Sequence, residues 1–352
     1  MDTHQAHAPG APVAPEFLAE MEQKAIQPLW DRYHRIIGGE PSAPDQPWLW
    51  RWADLAPFVS RAAAEVSMDK AERRVLMLVN PAFGGKVVTT TNLFAGIQIL
   101  EPGESARPHR HTASAMRLVM EGQGGATIVN GQYCNMEPGD LILTPNWAWH
   151  EHVNRGRSRV VWLDALDMPL AAHLGAIFSE GGDPAQVNTA ALGGAAFSQG
   201  GILPVAPLRE EPYSPMFRYP WTSVLVALDA APEQADGSRR IRYTNPVDGG
   251  PVIPTMDSYA LRLARGRSTA RHRTTANAVC LVVDGEGVST IGGRTLEWRK
   301  HDVFTVPYWN WVSHRALSPT AHLFMLTDRE VLRRTGLLRE ETEQDQSWRA
   351  SP

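Results

Sequence analysis

Cysteine is nearly missing from this 352-residue chain: Cys134 and Cys280 are the only two, too few for a disulfide framework, and a cytoplasmic setting fits them best. Long apolar runs are missing as well, and no stretch approaches the ~20 uninterrupted apolar residues that a membrane span needs. Residues 1–15 are rich in His, Ala and Pro without an apolar centre, so no secretory signal is expected there. Charge of one sign is equally scarce. The 34 Lys and Arg against 38 Asp and Glu give a formal net charge of −4, and no long basic run offers a footprint for nucleic acid. What is present is the composition of a folded protein, 43% hydrophobic and 20% charged, in a chain long enough for about two domains.

Residues 1–15 read as a flexible tail. Over 16–37, Leu18, Met21, Ala25, Leu29, Tyr33 and Ile36 recur at helical spacing, with Pro28 expected to kink or split the helix and Gly38-Gly39 to end it. A Pro- and Trp-rich segment follows over 41–52, then a short helix near 62–66 and another over 68–74 that Ser67 would cap. From Val75 the texture changes to short runs of Val, Ile, Thr and Leu between turn residues, which predicts strands over 86–91, 94–100, 116–120, 126–129 and 140–143. Asn130-Gly131 between two such runs predicts a two-residue hairpin, and the series as a whole a β-sandwich or barrel. A helix is expected over 168–178 and a Gly/Ala/Pro-rich connector from 180 to about 215.

The second half then repeats the first. Asn80-Pro81…Gly84-Gly85 is answered by Asn245-Pro246…Gly249-Gly250, His109 by His272, and Glu121-Gly122-Gln123-Gly124 by Asp284-Gly285-Glu286-Gly287. Asn130-Gly131 finds Gly292-Gly293, Pro138-Gly139-Asp140 finds Lys300-His301-Asp302, and Trp147-Ala148-Trp149 finds Trp309-Asn310-Trp311. Matches kept in one order over this length mean two copies of one β-domain. Because the tryptophans occur in both copies, they read as core packing.

His109 and His111 are separated by one residue, so on a strand both imidazoles point to the same face. His150 follows past the hairpin, where an antiparallel fold can return it to that face. Such a set can hold a metal ion, and imidazole suits Fe, Zn, Cu and Ni alike. In the second copy His272 stands for His109, but Thr274 and Val312 stand for His111 and His150, so no metal is expected there. His314 matches His152.

Gly103, His109-Arg110-His111 and Gly122, followed by Gly139, Pro145, His150 and Asn154, resemble the two motifs of the cupin family. At a finer level the chain resembles the gentisate and salicylate ring-cleaving dioxygenases, through Glu72-Arg73-Arg74-Val75-Leu76, Ala95-Gly96-Ile97-Gln98, Pro108-His109-Arg110-His111-Thr112, Ser114-Ala115-Met116-Arg117, the run from Leu143 to His152, and Trp162-Leu163-Asp164-Ala165-Leu166-Asp167. The resemblance implies a mainly β bicupin: two double-stranded β-helix (jelly-roll) barrels with an α-helical N-terminal extension. The boundaries would be an extension over 1–74, a metal-binding cupin over 75–167, a helical linker over 168–240, a second cupin without its metal ligands over 241–328 and a tail over 329–352.

It further implies a non-haem Fe(II) enzyme, commonly a homotetramer, that uses O2 to open a salicylate-type ring between the carboxylate-bearing and hydroxyl-bearing carbons, an extradiol-type cleavage. His109, His111 and His150 would be the iron ligands. Arg117 would pair with the substrate carboxylate, and His152 would sit beside the iron and handle protons. Gly96, Gln98 and Phe94 would line the ring pocket, and one of Arg73 or Arg74 would add positive charge. Many cupins carry a Glu shortly after the His-x-His pair, whereas residues 112–116 hold no carboxylate, so the metal would keep its full charge and favour an anionic, chelating substrate. That gap also disfavours a cupin isomerase or decarboxylase, and the intact triad disfavours a non-catalytic cupin. Ala113 and the pair Glu151 and Val153 depart from the gentisate enzymes' usual Gln, Asp and Gly. The substrate expected is therefore gentisate or another 5-substituted salicylate such as 5-nitrosalicylate, with salicylate and 1-hydroxy-2-naphthoate as alternatives.

Overall fold

The computed structural model describes residues 13–183, 193–205 and 211–343, in two units, 1–42 and 43–352. Most of the expected flexible tail, parts of the expected connector and the end of the expected C-terminal tail lie outside the described residues. In the first unit the helical spacing over 16–37 forms two pieces, α1 (Pro15–Gln23) and α2 (Tyr33–Ile36). The break falls at Ala25, which takes a left-handed φ of 57°, three residues before the proline expected to cause it. Gln27, preceding Pro28, is disfavoured in the α region, so the helix does not restart until past the ring.

In the second unit, α3 (Trp52–Glu65) is far longer than the short helix expected near 62–66. It opens directly out of the Trp-rich segment, where the Trp52 N–H donates to Asp302 Oδ1 at 2.6 Å, and it carries Pro57 in its second turn. Next, α4 (Met68–Ala71) stops three residues short of the expected 74, and Ser67 makes no side-chain cap. Glu72 turns the chain through a φ of 52° and sends Arg73 and Arg74 toward different surroundings. Residues 86–91 are not a strand. The Thr89 hydroxyl donates to Leu78 O and accepts the Ala95 N–H, both at 2.7 Å, and these local bonds replace a ladder despite the residues' β propensity. Helix α5 (Met168–His173) is shorter than 168–178 and ends near Gly175, whose φ is 68°. The expected tail from 329 is instead a helix, Arg329–Arg334, and a strand, Glu340–Thr342.

Among the described residues the strands form four sheets, one six-stranded and one five-stranded sheet per barrel. In the first barrel the six-stranded order is Arg218–Tyr219, Leu141–Thr144, Ala115–Glu121, Val160–Leu166, Phe94–Leu100, Val75–Met77; the five-stranded order is Ser179–Gly181, Ser105–His111, His150–Asn154, Gly125–Val129, Gln132–Met136. The second barrel repeats both, with Leu49–Trp50 on the edge of its six-stranded sheet and Glu340–Thr342 on that of the other. Every residue of Phe94–Leu100 is buried, and the reason is that both of its faces are covered. Ala95, Ile97 and Ile99 join Leu118 and Leu163 in one apolar cluster with Ala260, Leu281 and Phe324 of the second barrel, so the two large sheets pack together. Phe94, Gly96 and Gln98 alternate to the opposite face, toward the barrel interior.

The barrels also exchange pieces. Strand Leu49–Trp50, which precedes the first barrel, pairs with Val303–Val306 of the second; Arg218–Tyr219, which precedes the second, pairs with Leu141–Thr144 of the first. Asp302 of the second barrel caps α3, and Asp140 of the first accepts the N–H of Trp221 at 2.9 Å, capping the helix Trp221–Ala230. Gly139 is required in this contact: its φ is 90° and an added Cβ would lie 2.4 Å from Trp221 Cγ.

Asp45 is buried near Asp328, and burial raises its carboxyl from 3.8 to about 6. Its ionisation therefore costs stability: the penalty is full above about pH 6, where both folded and unfolded states carry the charge, and vanishes below its ordinary value, where both are protonated. Asp45→Asn should raise the melting temperature by about 2 °C or more near pH 7.5 and leave it unchanged near pH 4, as measured by differential scanning calorimetry.

Candidate metal centre

The small sheet of the first barrel carries the histidines. His109 and His150 are directly paired partners on adjacent antiparallel strands, and His111 lies two residues along from His109. The ring centroids of His109 and His150 are 4.1 Å apart, those of His111 and His150 4.8 Å, and the ligand atoms of all three lie within 4.8 Å of one another. Each Nδ1 faces a backbone carbonyl two residues away: Arg107 O at 2.9 Å for His109, Ala113 O at 2.6 Å for His111 and Ala148 O at 2.9 Å for His150. A carbonyl only accepts, so each Nδ1 carries the proton and each Nε2 presents a bare lone pair. His150 Nε2 is buried with no protein partner. Burial, reinforced by the charges of Arg73 and Arg117, lowers His109 to about 3 and His111 to about 4, and His150 lies well below its ordinary value. Three neutral imidazoles with converging lone pairs fit a divalent transition-metal ion.

Beside them, His152 is wholly buried, its Nδ1 2.9 Å from the Thr127 hydroxyl and its Nε2 unpartnered. A hydroxyl both donates and accepts, so this imidazole can hold or release a proton at Nε2 without losing its anchor. Across the barrel, Arg117 Nε lies 2.8 Å from Asp164 Oδ1, and its Nη1 is buried without a hydrogen-bond partner. Burial works against both charges, lowering the guanidinium and raising the carboxyl, and each partner opposes the shift in the other. Trp162 steadies the pair by donating Nε1–H to Asp164 Oδ2 at 3.1 Å.

Gln98, in register with Trp162, also has a buried unpartnered Nε2. Phe94 is buried on the same face. Gly96 shares that face but is covered, since an added Cβ would lie 2.7 Å from Val75 Cγ1 and 3.3 Å from Phe94 Cζ; it makes room for its neighbours more than it lines a cavity. Of the two arginines, only Arg73 projects its charge onto the triad. Arg74, the other of the two candidates, is turned away: its guanidinium forks onto both Glu104 oxygens at 2.9 and 2.8 Å and onto Val66 O.

Trp309 is buried as expected of core packing, whereas Trp147, Trp149 and Trp311 are half-buried and carry arginines on their faces. Arg110, between the two ligands on the outer face, lies 4.4 Å from the Trp147 ring and 4.6 Å from that of Trp149, and it pairs with Glu180 at 2.6 Å. Arg273 repeats this in the second barrel with Trp309, Trp311 and Glu341. Each such contact contributes about 0.5–2 kcal/mol and clamps the ligand strand from outside. The matched His-Arg of both copies was the signal for it; Asp164, a lone carboxylate inside the apolar run Val160–Leu166, was the signal for the Arg117 partner.

Residues 96–166 match the cupin domain model. The chain is 35% identical to gentisate 1,2-dioxygenase 1 of Aquipseudomonas alcaligenes over 92% of its own length and 95% of the relative's, and 36% identical to 5-aminosalicylate 1,2-dioxygenase of a Comamonas species over 92% and 88%. Among solved structures it is similar to the salicylate 1,2-dioxygenase of Pseudoaminobacter salicylatoxidans with gentisate, at a TM-score of 0.89 and 31% identity over 98% and 99% of the two chains. The chain belongs to the gentisate and salicylate 1,2-dioxygenase family. Within this ring-cleaving dioxygenase, Glu151 and Val153, two of the positions expected to depart from the gentisate enzymes, alternate with the buried His150, His152 and Asn154 and so point away from the barrel interior. Ala113 is different: it is buried, and its carbonyl holds His111.

Purified protein should carry about one transition-metal ion per chain by elemental analysis. His111→Ala should abolish that content, whereas His272→Ala, in the second barrel, should leave it unchanged.

Proposed function

We propose that this dioxygenase holds Fe(II) on His109, His111 and His150 and uses O2 to open a salicylate-type ring between its carboxylate-bearing and hydroxyl-bearing carbons. Gentisate or another 5-substituted salicylate such as 5-nitrosalicylate is the substrate class. We class the cleavage as extradiol-type by analogy, since the bond broken lies beside a hydroxyl-bearing carbon. The observation that carries the reading is a carboxylate-free triad of bare Nε2 atoms facing a buried arginine with an unpartnered Nη1. When bound, ferrous iron in such a site supplies redox chemistry and coordination positions for a chelating acid and a gas molecule.

The remaining work falls to the chain's own side chains. Arg117 receives the substrate carboxylate at Nη1, with the Asp164 carboxylate beside its Nε partly offsetting the charge. Burial, and then the Arg117 charge, keep the His152 imidazole neutral, so it accepts the phenolic O–H at Nε2 while Thr127 holds its Nδ1. Gln98 offers an amide N–H to a ring substituent, Phe94 covers the ring, and the Arg73 charge favours the anionic acid over the neutral one. A homotetramer is supported by the exposed apolar side chains Phe17, Leu29, Trp30 and Ile36 of the N-terminal unit, and a cytoplasmic setting by two buried free thiols.

The test is oxygen uptake after anaerobic reconstitution with Fe(II). Gentisate, salicylate, 5-nitrosalicylate and 1-hydroxy-2-naphthoate are added in turn, and uptake equal to the acid consumed is expected with at least one. His152→Ala should keep its iron and lose about 100-fold in kcat. Absence of uptake with every acid, in protein that has retained its metal, overturns the proposal.

A further inference from the structure

The second barrel has kept the frame of the first while changing what it holds. His272 is paired in register with Val312, as His109 is with His150, and His314 reaches Ser289 through Nδ1 at 2.7 Å, as His152 reaches Thr127. With Thr274 and Val312 in place of two imidazoles, the interior opens into a cavity of about 350 Å3, within the range of about 300–1,000 Å3 that encloses small molecules. Three arginines line it. Arg242 is neutralised by Asp257 at 2.9 Å and Glu330 at 3.0 Å, and Arg329 by Glu340 at 2.8 Å.

Arg240 is the exception: it has no hydrogen bond and no ion pair within 4 Å among the described residues. The acids nearest in charge are engaged elsewhere, Asp236 with the N–H groups of Ser238 and Ala270 and Glu340 with Arg329. Its side chain is exposed and reaches solvent through the cavity, while the protein packed around it lowers the guanidinium. A guanidinium does not discharge, so one that lines a cavity with no acid paired to it is available to an entering anion. The rest of the lining includes Ala276, Ala278, Val306, Val312 and Met325, which offer an apolar body a dry wall.

We propose that the second barrel binds a small organic carboxylate, its carboxyl group on Arg240 and its apolar body against Val306, Val312 and Met325. The one lining arginine without an acid partner suits a single carboxyl group of an organic acid, with one carboxyl group or two, better than phosphate, which would need several more donors. This site is independent of the metal centre. Two sources share the required chemistry: an aromatic acid of the kind the first barrel takes, and an open-chain acid of the kind that ring opening yields.

The experiment is anaerobic calorimetric titration of salicylate into the full-length iron-loaded protein, into Arg240→Met and into His111→Ala. Arg240→Met should weaken one binding event about tenfold or more, and His111→Ala should leave that same event in place, which separates it from any event in the first barrel. Val312→Phe, which fills the cavity without touching the arginine, should remove the same event and stands in should Arg240→Met fold poorly. Competition by maleate at this event assigns the open-chain source and its absence the aromatic one; either supports the site. Titrations with salicylate and maleate that Arg240→Met and Val312→Phe both leave unaltered, or binding of inorganic phosphate alone, overturn it.

Discussion

The first barrel's chemistry rests on three short bonds from imidazole Nδ1–H to carbonyls two residues away along the same chain. Because Arg107, Ala113 and Ala148 offer only acceptors, the tautomer of each histidine is decided by the backbone, and the three Nε2 lone pairs meet without any titratable partner. A carboxylate in that role would have drawn charge into the site. With carbonyls, the charges that act on the ligand imidazoles are chiefly the guanidinium groups of Arg73 and Arg117, with the Asp164 carboxylate beside Arg117. The site is thereby prepared for anions from two directions, from the ion it would hold and from the arginines around it.

The same backbone frame produces different interiors because few positions decide the contents. Exchange of two imidazoles for Thr274 and Val312 removes the convergence, and Cys280 and Met325 take the strand positions that Arg117 and Asp164 hold in the first barrel. The Trp–Arg–Trp clamp and the hydroxyl beside the inner histidine persist in both. The clamp therefore belongs to the barrel as a structure, while the hydroxyl is a shared anchor that the first barrel also uses beside its metal centre.

The duplication, the strand series and the triad were legible because they depend on spacing, which sequence records directly. Helix lengths were not. Glu72 and Ala25 adopt left-handed φ values with no glycine to announce them, and α3 starts on a cap contributed by Asp302, 250 residues away. The loop over 86–91 reads as a strand because its propensity is that of one, while Thr89 satisfies the backbone locally. Arg73 and Arg74 are adjacent and chemically identical, so only the turn at Glu72 decides which faces the site. Glu104 is the partner that removes Arg74, and nothing local in sequence joins residues 74 and 104.

A barrel stripped of its metal ligands could be thought dispensable, yet here it cannot be shed. Without it, α3 would begin on a bare amide, the Leu49–Trp50 ribbon would have no neighbour, and the outward side of Phe94–Leu100 would meet water. The catalytic half has, in effect, outsourced part of its own scaffolding to its sibling. That mutual mortgage leaves the second interior free to drift toward other ligands while its shell stays under the same structural obligation as the first.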